Sequence, residues 1–460
     1  MQVKKIIILY LLLGCFALDI RAAVTPVDSL KQQVAGLSLS TFDVDATPPV
    51  GSHLTYDPMV NSWDLGLRAK GFVLLGAGKP IVVCSVDWIG ISNDSQDEFK
   101  KAIANAAGTT PDHVAVHAIH QHDAPTSDFG AEKILLAAGI NPRSFEGAFS
   151  RELIRRLDIA VKNSLAQAQP ITHLGLGAAR VYNVSSNRRI IGADGLVKAS
   201  RTSATKDSAI RAEPEGLIDP MVSLISFWNK DKPVAVLSYY ATHPQSYYRT
   251  GVANPDFPGI ARFMRQLAVP EALHIHFNGA GGNITAGKYN DGAKINRMIL
   301  AQRLADGMKR AWDSTKKEPI SAAQVHWAIA PISIPLKADV GTMEQKMRTE
   351  TPVFLANNMS KLVLLHRQQA GKKIDLTCLT LGNARILHLP GEPFIEYQLA
   401  AKAYRKDLFV AVAGYGDYGP GYICNEEGYK QGGYEAGQAS AANPEIEKVL
   451  MNAIHKLLKN

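Results

Sequence analysis

The stretch Val114-Ala115-Val116-His117-Ala118-Ile119-His120-Gln121-His122-Asp123 joins an apolar, β-branched run to a cluster of histidines. The run Val114–Ile119 reads as a strand, and the polar cluster as its end. Alternation along a strand puts His120 and His122 on one face, and an HxH pair is a common way to aim two imidazoles at one metal. A polar strand end with solvated or backbone-bonded histidines is the other reading. Working outward, further strands are expected at Ile81–Val86, Val222–Trp228, Val234–Tyr240, Leu273–Phe277, Val325–Ile334, Leu376–Leu381, Ile386–Leu389 and Phe409–Ala413. Helices are expected at Phe149–Ala166, Ile260–Leu267, Ile295–Trp312, Met343–Gln369 and Glu445–Leu458. Strands alternating with helices give an α/β fold of mixed β-sheets flanked by helices. Strand ends at Asp87 and His120, with a helix between them, are echoed at His243 and Asn278, which suggests an internally duplicated αββα arrangement.

The chain has 460 residues, 46% hydrophobic and 20% charged, which excludes disordered, collagenous and coiled-coil classes. Net charge is +8, with no long Lys/Arg run, so nucleic acid is not an expected partner. Lys4 and Lys5, the apolar Ile6–Leu13 and the small residues Ala22 and Ala23 read as a secretory signal peptide over 1–22. The mature chain, 23–460, is read as one domain that is secreted or periplasmic. Leu12-Leu13-Gly14-Cys15 loosely resembles a lipoprotein cleavage box, so a lipid anchor at Cys15 in an outer membrane, with peripheral membrane association, is a second possibility. Cys84, Cys378 and Cys424 are too few and too scattered for a disulfide framework, and no later segment is apolar enough to span a membrane.

Besides the double histidine, three strand-end clusters stand out, where a rigid scaffold leaves backbone groups free. They are Tyr240-Ala241-Thr242-His243-Pro244, Leu389-Pro390-Gly391-Glu392-Pro393, and the Gly/Tyr-rich segment from Gly421 and Tyr422 through Tyr429 to Tyr434-Glu435. Each alone is equally well read as a structural strand end, helix start or loop. Ser186-Asn187-Arg188-Arg189 could supply a cation to a substrate oxygen. Asn278–Gly287 is glycine-rich and suits close backbone approach to a ligand. It lacks the GK[ST] ending of a phosphate loop, and no GxSxG elbow occurs.

Taken in order, these clusters resemble the catalytic domain of the neutral/alkaline, non-lysosomal ceramidase family. Ile119-His120-Gln121-His122-Asp123 stands where that family has Thr-His-Thr-His-Ser. His243 matches its isolated strand-end histidine, Pro390-Gly391-Glu392 its Pro-Gly-Glu turn, and Asn187-Arg188 its Asn-Arg pair. Tyr422 precedes Tyr434-Glu435 at the family's twelve-residue spacing. The resemblance runs from about Gly51 to Gly437.

The resemblance implies a Zn²⁺ hydrolase with His120, His243, Glu392 and Tyr422 as ligands, a donor set that suits this ion. It implies His122 as proton shuttle to the leaving amine, and Arg188 and Tyr434 as hydrogen-bond donors to the developing oxyanion. The family's Gly-Asp-x-Ser-Pro is here Gly282-Asn283-Ile284-Thr285-Ala286, so Thr285 keeps the hydroxyl while the acid becomes Asn283. Only 26 residues follow Tyr434, so the family's C-terminal β-sandwich is not expected here. Three functions compete: an amide-cleaving hydrolase of N-acyl sphingoid lipids or related acyl-amides, a carbohydrate-directed deacylase or other glycan hydrolase on the same scaffold, and a non-catalytic surface protein that binds a small-molecule, lipid or glycan ligand.

Overall fold

The structure, a computed structural model, describes residues 36–459 apart from 63 and 347–351. The signal peptide and Cys15 lie outside the described residues. Three four-stranded modules follow one another along the chain. The first is Ser38–Asp45, Arg68–Leu75, Ile81–Val86 and Val114–Ala118; the second is His173–Arg180, Met221–Asn229, Lys232–Tyr240 and Leu273–Asn278; the third is Val325–Ile332, Ile374–Leu381, Ala384–His388 and Phe409–Ala413. In each, the first three strands run antiparallel as a meander, and the fourth pairs parallel with the third. A parallel pair needs a crossover. The crossover helices are Asn93–Ala107, Asp256–Ala268 and Ile395–Tyr404. A further helix follows each fourth strand, at Ala148–Ser164, Asn296–Asp313 and Ile446–Leu458. The expected duplication is therefore two of three copies, and three sheets rather than two share the interior.

The period of two along the strands decides which face each residue covers. Ile81 and Val83 of the first module, Ala235, Leu237 and Tyr239 of the second, and Ile386, Ala411 and Ala413 of the third all enter one common apolar core. Their neighbours Val82, Cys84 and Val86 pack on the first module's helices, Val236 and Tyr240 on the second's, and Leu387, Val410 and Val412 on the third's. Cys84, Cys378 and Cys424 are free and buried. No helix among the described residues is long and apolar enough to cross a membrane.

The expected strands all form, with small shifts at their ends. Ile81–Val86 and Phe409–Ala413 fall on their expected bounds. Ser38–Asp45, Arg68–Leu75 and His173–Arg180 were not expected, because Ser, Thr, Asp, Gly and Arg interrupt their apolar alternation. Of the helix expected over Met343–Gln369, the pieces Met343–Lys346 and Pro352–Gln369 form, and residues 347–351 between them lie outside the described residues.

Polar groups are also walled in where modules meet. Arg262 makes two 2.6 Å bonds to Asp87 across the first and second modules. On the nearby strand His276 lies 2.9 Å from the Ser238 hydroxyl, and burial with the Arg262 charge pushes its pKa down to about 3. An unfolded histidine binds a proton near pH 6.5, so the stability tied to neutral His276 is fully present above that pH and is lost as pH falls through 6.5 toward the folded value. His276→Gln should flatten the acid limb by about one proton, or about 1.4 kcal/mol per pH unit between roughly pH 6 and pH 4. Urea unfolding at stepped pH measures this, and an unaltered slope would count against the buried neutral imidazole.

Candidate metal centre

The site lies where strand ends of all three modules meet. His120 comes two residues after Val114–Ala118, His243 three after Lys232–Tyr240, and Glu392 four after Ala384–His388. His120, His122 and His243 are buried, and each offers a ring nitrogen within 4.8 Å of the others. Glu392 joins them: its Oε2 is 3.1 Å from His120 Nε2 and 3.8 Å from His243 Nδ1.

Strand alternation does not bring His120 and His122 together, contrary to expectation. The strand ends at Ala118, and His120 has φ +77°, a left-handed conformation that costs energy for a residue with a Cβ. The turn is held by surrounding bonds. His120 N donates to the Trp88 carbonyl at 2.9 Å, and its Nδ1–H donates to the Ile89 carbonyl at 2.7 Å. That bond occupies Nδ1, fixes the ring's orientation and turns Nε2 toward Glu392. Tyr415 stacks on the other side of the ring, with centroids 4.5 Å apart.

Two short ladders bring in sequence-distant motifs. Glu392 and Tyr422 are register partners in a two-residue parallel pair. Ile284–Thr285 pairs with Ser186–Asn187, and Arg188 N donates to the Asn283 carbonyl at 2.8 Å. Tyr422 lies parallel to His243 with centroids 6.4 Å apart, and Arg188 Nη1 donates to its hydroxyl at 3.0 Å. Arg188 and Arg189 both pair with the fully buried Glu435, at 3.5 and 3.0 Å. Tyr434 is 61% exposed and meets Tyr422 edge to face, so it stands at the mouth.

One expected contributor sits differently. The Thr285 hydroxyl bonds to the Thr202 carbonyl and the Gly287 amide, which places it in the supporting loop. Asn283 bonds Glu396 and the Ile395 amide, tying the start of the third crossover helix. Gly281 and Gly282 lie against protein backbone: a Cβ at Gly281 would collide with the Thr242 carbonyl oxygen, and one at Gly282 with that of Glu392. Sequence reasoning missed Tyr56, Tyr248, Tyr415 and Tyr418. The first two pack on His122, with centroids 5.9 and 5.5 Å away. The signal for the last two was the Gly/Tyr alternation beginning at Tyr415, upstream of the segment considered.

Burial, then the Arg188 charge and neighbouring imidazoles, pushes His243 well below its ordinary pKa. Burial, then His120 and Arg188, does the same for His122, so both rings are neutral and can donate lone pairs. Burial raises Tyr422 well above the usual phenol range, with the Arg188 charge opposing it. His122 Nδ1, His243 Nδ1 and Glu392 Oε2 are buried with no hydrogen-bond partner among the described residues. Such atoms cost free energy unless something fills the gap. Two ligands of a tetrahedral zinc at 2.0–2.2 Å lie roughly 3.3–3.6 Å apart, and the two Glu392 distances bracket that range. The donors therefore fit Zn²⁺.

A search of protein-family models matches none, and no curated protein matches. Solved structures do match. A neutral ceramidase from Pseudomonas aeruginosa is similar with a TM-score of 0.66 and 16% identity, over 92% of this chain and 74% of that one. A ceramidase complexed with C2 is similar with a TM-score of 0.65 and 15% identity, over 91% of this chain and 74% of that one.

Among the described residues, Glu435 is the carboxylate that pairs with both buried guanidinium groups, Arg188 and Arg189, so Glu435→Ala removes the ion-pair partner of each. Thermal or chemical unfolding should show a loss of about 3–5 kcal/mol, with earlier proteolytic cutting in 421–437. The fold in which these residues meet is that of neutral ceramidase.

Proposed function

We propose that the protein is a zinc-dependent hydrolase that cleaves an amide bond of an N-acyl substrate, an N-acyl sphingoid lipid or a related acyl-amide. The observation that carries this reading is the convergence of His120, His243 and the unpaired Glu392 oxygen at the junction of three modules. The fold shared with ceramidases supports the amide-cleaving class. His120, His243, Glu392 and Tyr422 would hold the ion. Bound zinc supplies a Lewis acid for the scissile carbonyl and a water of lowered pKa.

The chain's own residues do the rest. His122 is neutral, has an unpaired Nδ1 and lies beside both ligand imidazoles, with ring centroids 5.0 Å from each. It is placed to take a proton and return it to the leaving amine. Arg188 is aimed at the Tyr422 hydroxyl and Glu435, so its first task is to favour an anionic Tyr422 oxygen. Tyr434, at the mouth, is the phenol free to reach the oxyanion. Tyr56 and Tyr248 wall the entrance beside His122, with their own rings 5.1 Å apart. The reading includes export through the leader at 1–22.

Purified protein should contain about one zinc per chain, and His243→Ala and Glu392→Ala should each remove it together with hydrolysis of N-acyl amides. Metal analysis of the three proteins checks this. Zinc-free wild type, or variants with unchanged metal content, would sink the assignment. Turnover of short acyl-sugars with none of N-acyl amides would transfer it to the glycan deacylase.

A further inference from the structure

Glu392 uses its two carboxylate oxygens differently. Tyr418 donates its hydroxyl to Oε1 at 2.6 Å, within the range of a charge-assisted bond, while Oε2 has no hydrogen-bond partner and faces the two imidazoles. We propose that Tyr418 is a positioning residue that makes Glu392 a one-oxygen metal ligand, and that the segment Trp88–Ile91 aligns it with His120.

The segment holds both partners. On one side, the Trp88 and Ile89 carbonyls receive the His120 amide and ring N–H. On the other, the Ile91 carbonyl accepts the Tyr418 amide at 3.1 Å. Gly90, between them, forms the seat of the Tyr418 ring: a Cβ built there would lie 2.5 Å from Tyr418 Cδ1 and 2.6 Å from Cγ. Only a residue without a Cβ lets the ring lie flat enough for its hydroxyl to reach Glu392. The Tyr418 and His120 rings stand 5.4 Å apart, so one piece of backbone sets the spacing between an imidazole donor and a carboxylate donor. An unrestrained carboxylate could chelate through both oxygens or swing away. With Oε1 held, one donor position is defined.

The inference rests on the zinc reading and is tested on the full chain. Zinc affinity is measured by competition with a chromophoric chelator, and the visible bands of the Co²⁺-substituted protein report coordination number. Tyr418→Phe should weaken zinc binding about 10–100-fold and shift the Co²⁺ bands toward higher coordination, with an unchanged circular dichroism spectrum. Gly90→Ala, which keeps the hydroxyl but displaces the ring, should weaken zinc in the same direction. Combined with Tyr418→Phe it should add little, because both act through one bond. If Tyr418→Phe does not fold, Gly90→Ala decides in its place. Wild-type zinc binding with unmoved affinity and bands in the variant overturns this inference alone; absence of zinc from wild type overturns the functional reading with it.

Discussion

Asn278 is the point on which the site depends. It ends the fourth strand of the second module and is almost wholly buried. Its side-chain Nδ2 donates to the Ile119 carbonyl at 3.2 Å, its Oδ1 accepts from the Thr242 amide at 3.1 Å, and its own carbonyl accepts from the Gly414 amide at 2.9 Å. Ile119 precedes His120, Thr242 precedes His243, and Gly414 opens the loop that carries Tyr415, Tyr418 and Tyr422. One amide side chain and one carbonyl thus fix three loops from three modules. Each bond contributes about 1 kcal/mol net, but each buried group left unpaired costs about 1–3, so the arrangement holds as a set. The adjacent glycines serve the same end: Gly281 and Gly282 have no Cβ, and the backbones of Thr242 and Glu392 lie against them.

The electrostatics follow from that closeness. The centre is walled by rings and backbone, so burial holds His122 and His243 neutral and keeps the Tyr422 phenol protonated unless a cation faces it. Arg188 is that cation for Tyr422. It is kept charged while buried because Glu435 lies behind it, and Arg189 shares the same carboxylate. Two guanidinium groups share that one carboxylate, and the Arg188 charge at the Tyr422 hydroxyl favours an anionic oxygen there, as the proposed ligand role requires.

The strand–helix alternation was legible because the buried strands are short, β-branched and bounded by turn residues, as at Ile81–Val86 and Phe409–Ala413. The first strands of the modules were not. Ser38–Asp45 carries Asp43 and Asp45, and His173–Arg180 carries Gly175 and Gly177, whose Cβ atoms would clash with Ser226 and with the helix end at Ala311. Packing, not propensity, makes these strands. At the site, the residue types were legible and the routes between them were not. His120 and His122 meet through a left-handed backbone turn that no period reveals. Thr285 looked chemical because it carries a hydroxyl, yet that hydroxyl closes a loop. Tyr418, between Asp417 and Gly419, lies upstream of the Gly/Tyr segment that begins at Gly421, and the seat of its ring is provided by Gly90 far away in the chain.

The threefold plan also explains why equivalent positions carry unlike residues. The third strands end near Asp87, His243 and Glu392, and the fourth near His120, Asn278 and Tyr415. Two of the three third-strand ends carry candidate metal donors, His243 and Glu392. Asp87 does not, since Arg262 of the second module claims both of its oxygens. The first module contributes through its fourth strand instead, with His120, while the second uses that position for the tie Asn278 and the third for the ring of Tyr415 that backs His120. A symmetric scaffold brings six strand ends to one place. Assigning those ends separately to donating, tying and backing gives one asymmetric centre, in which each module supplies something that the other two lack.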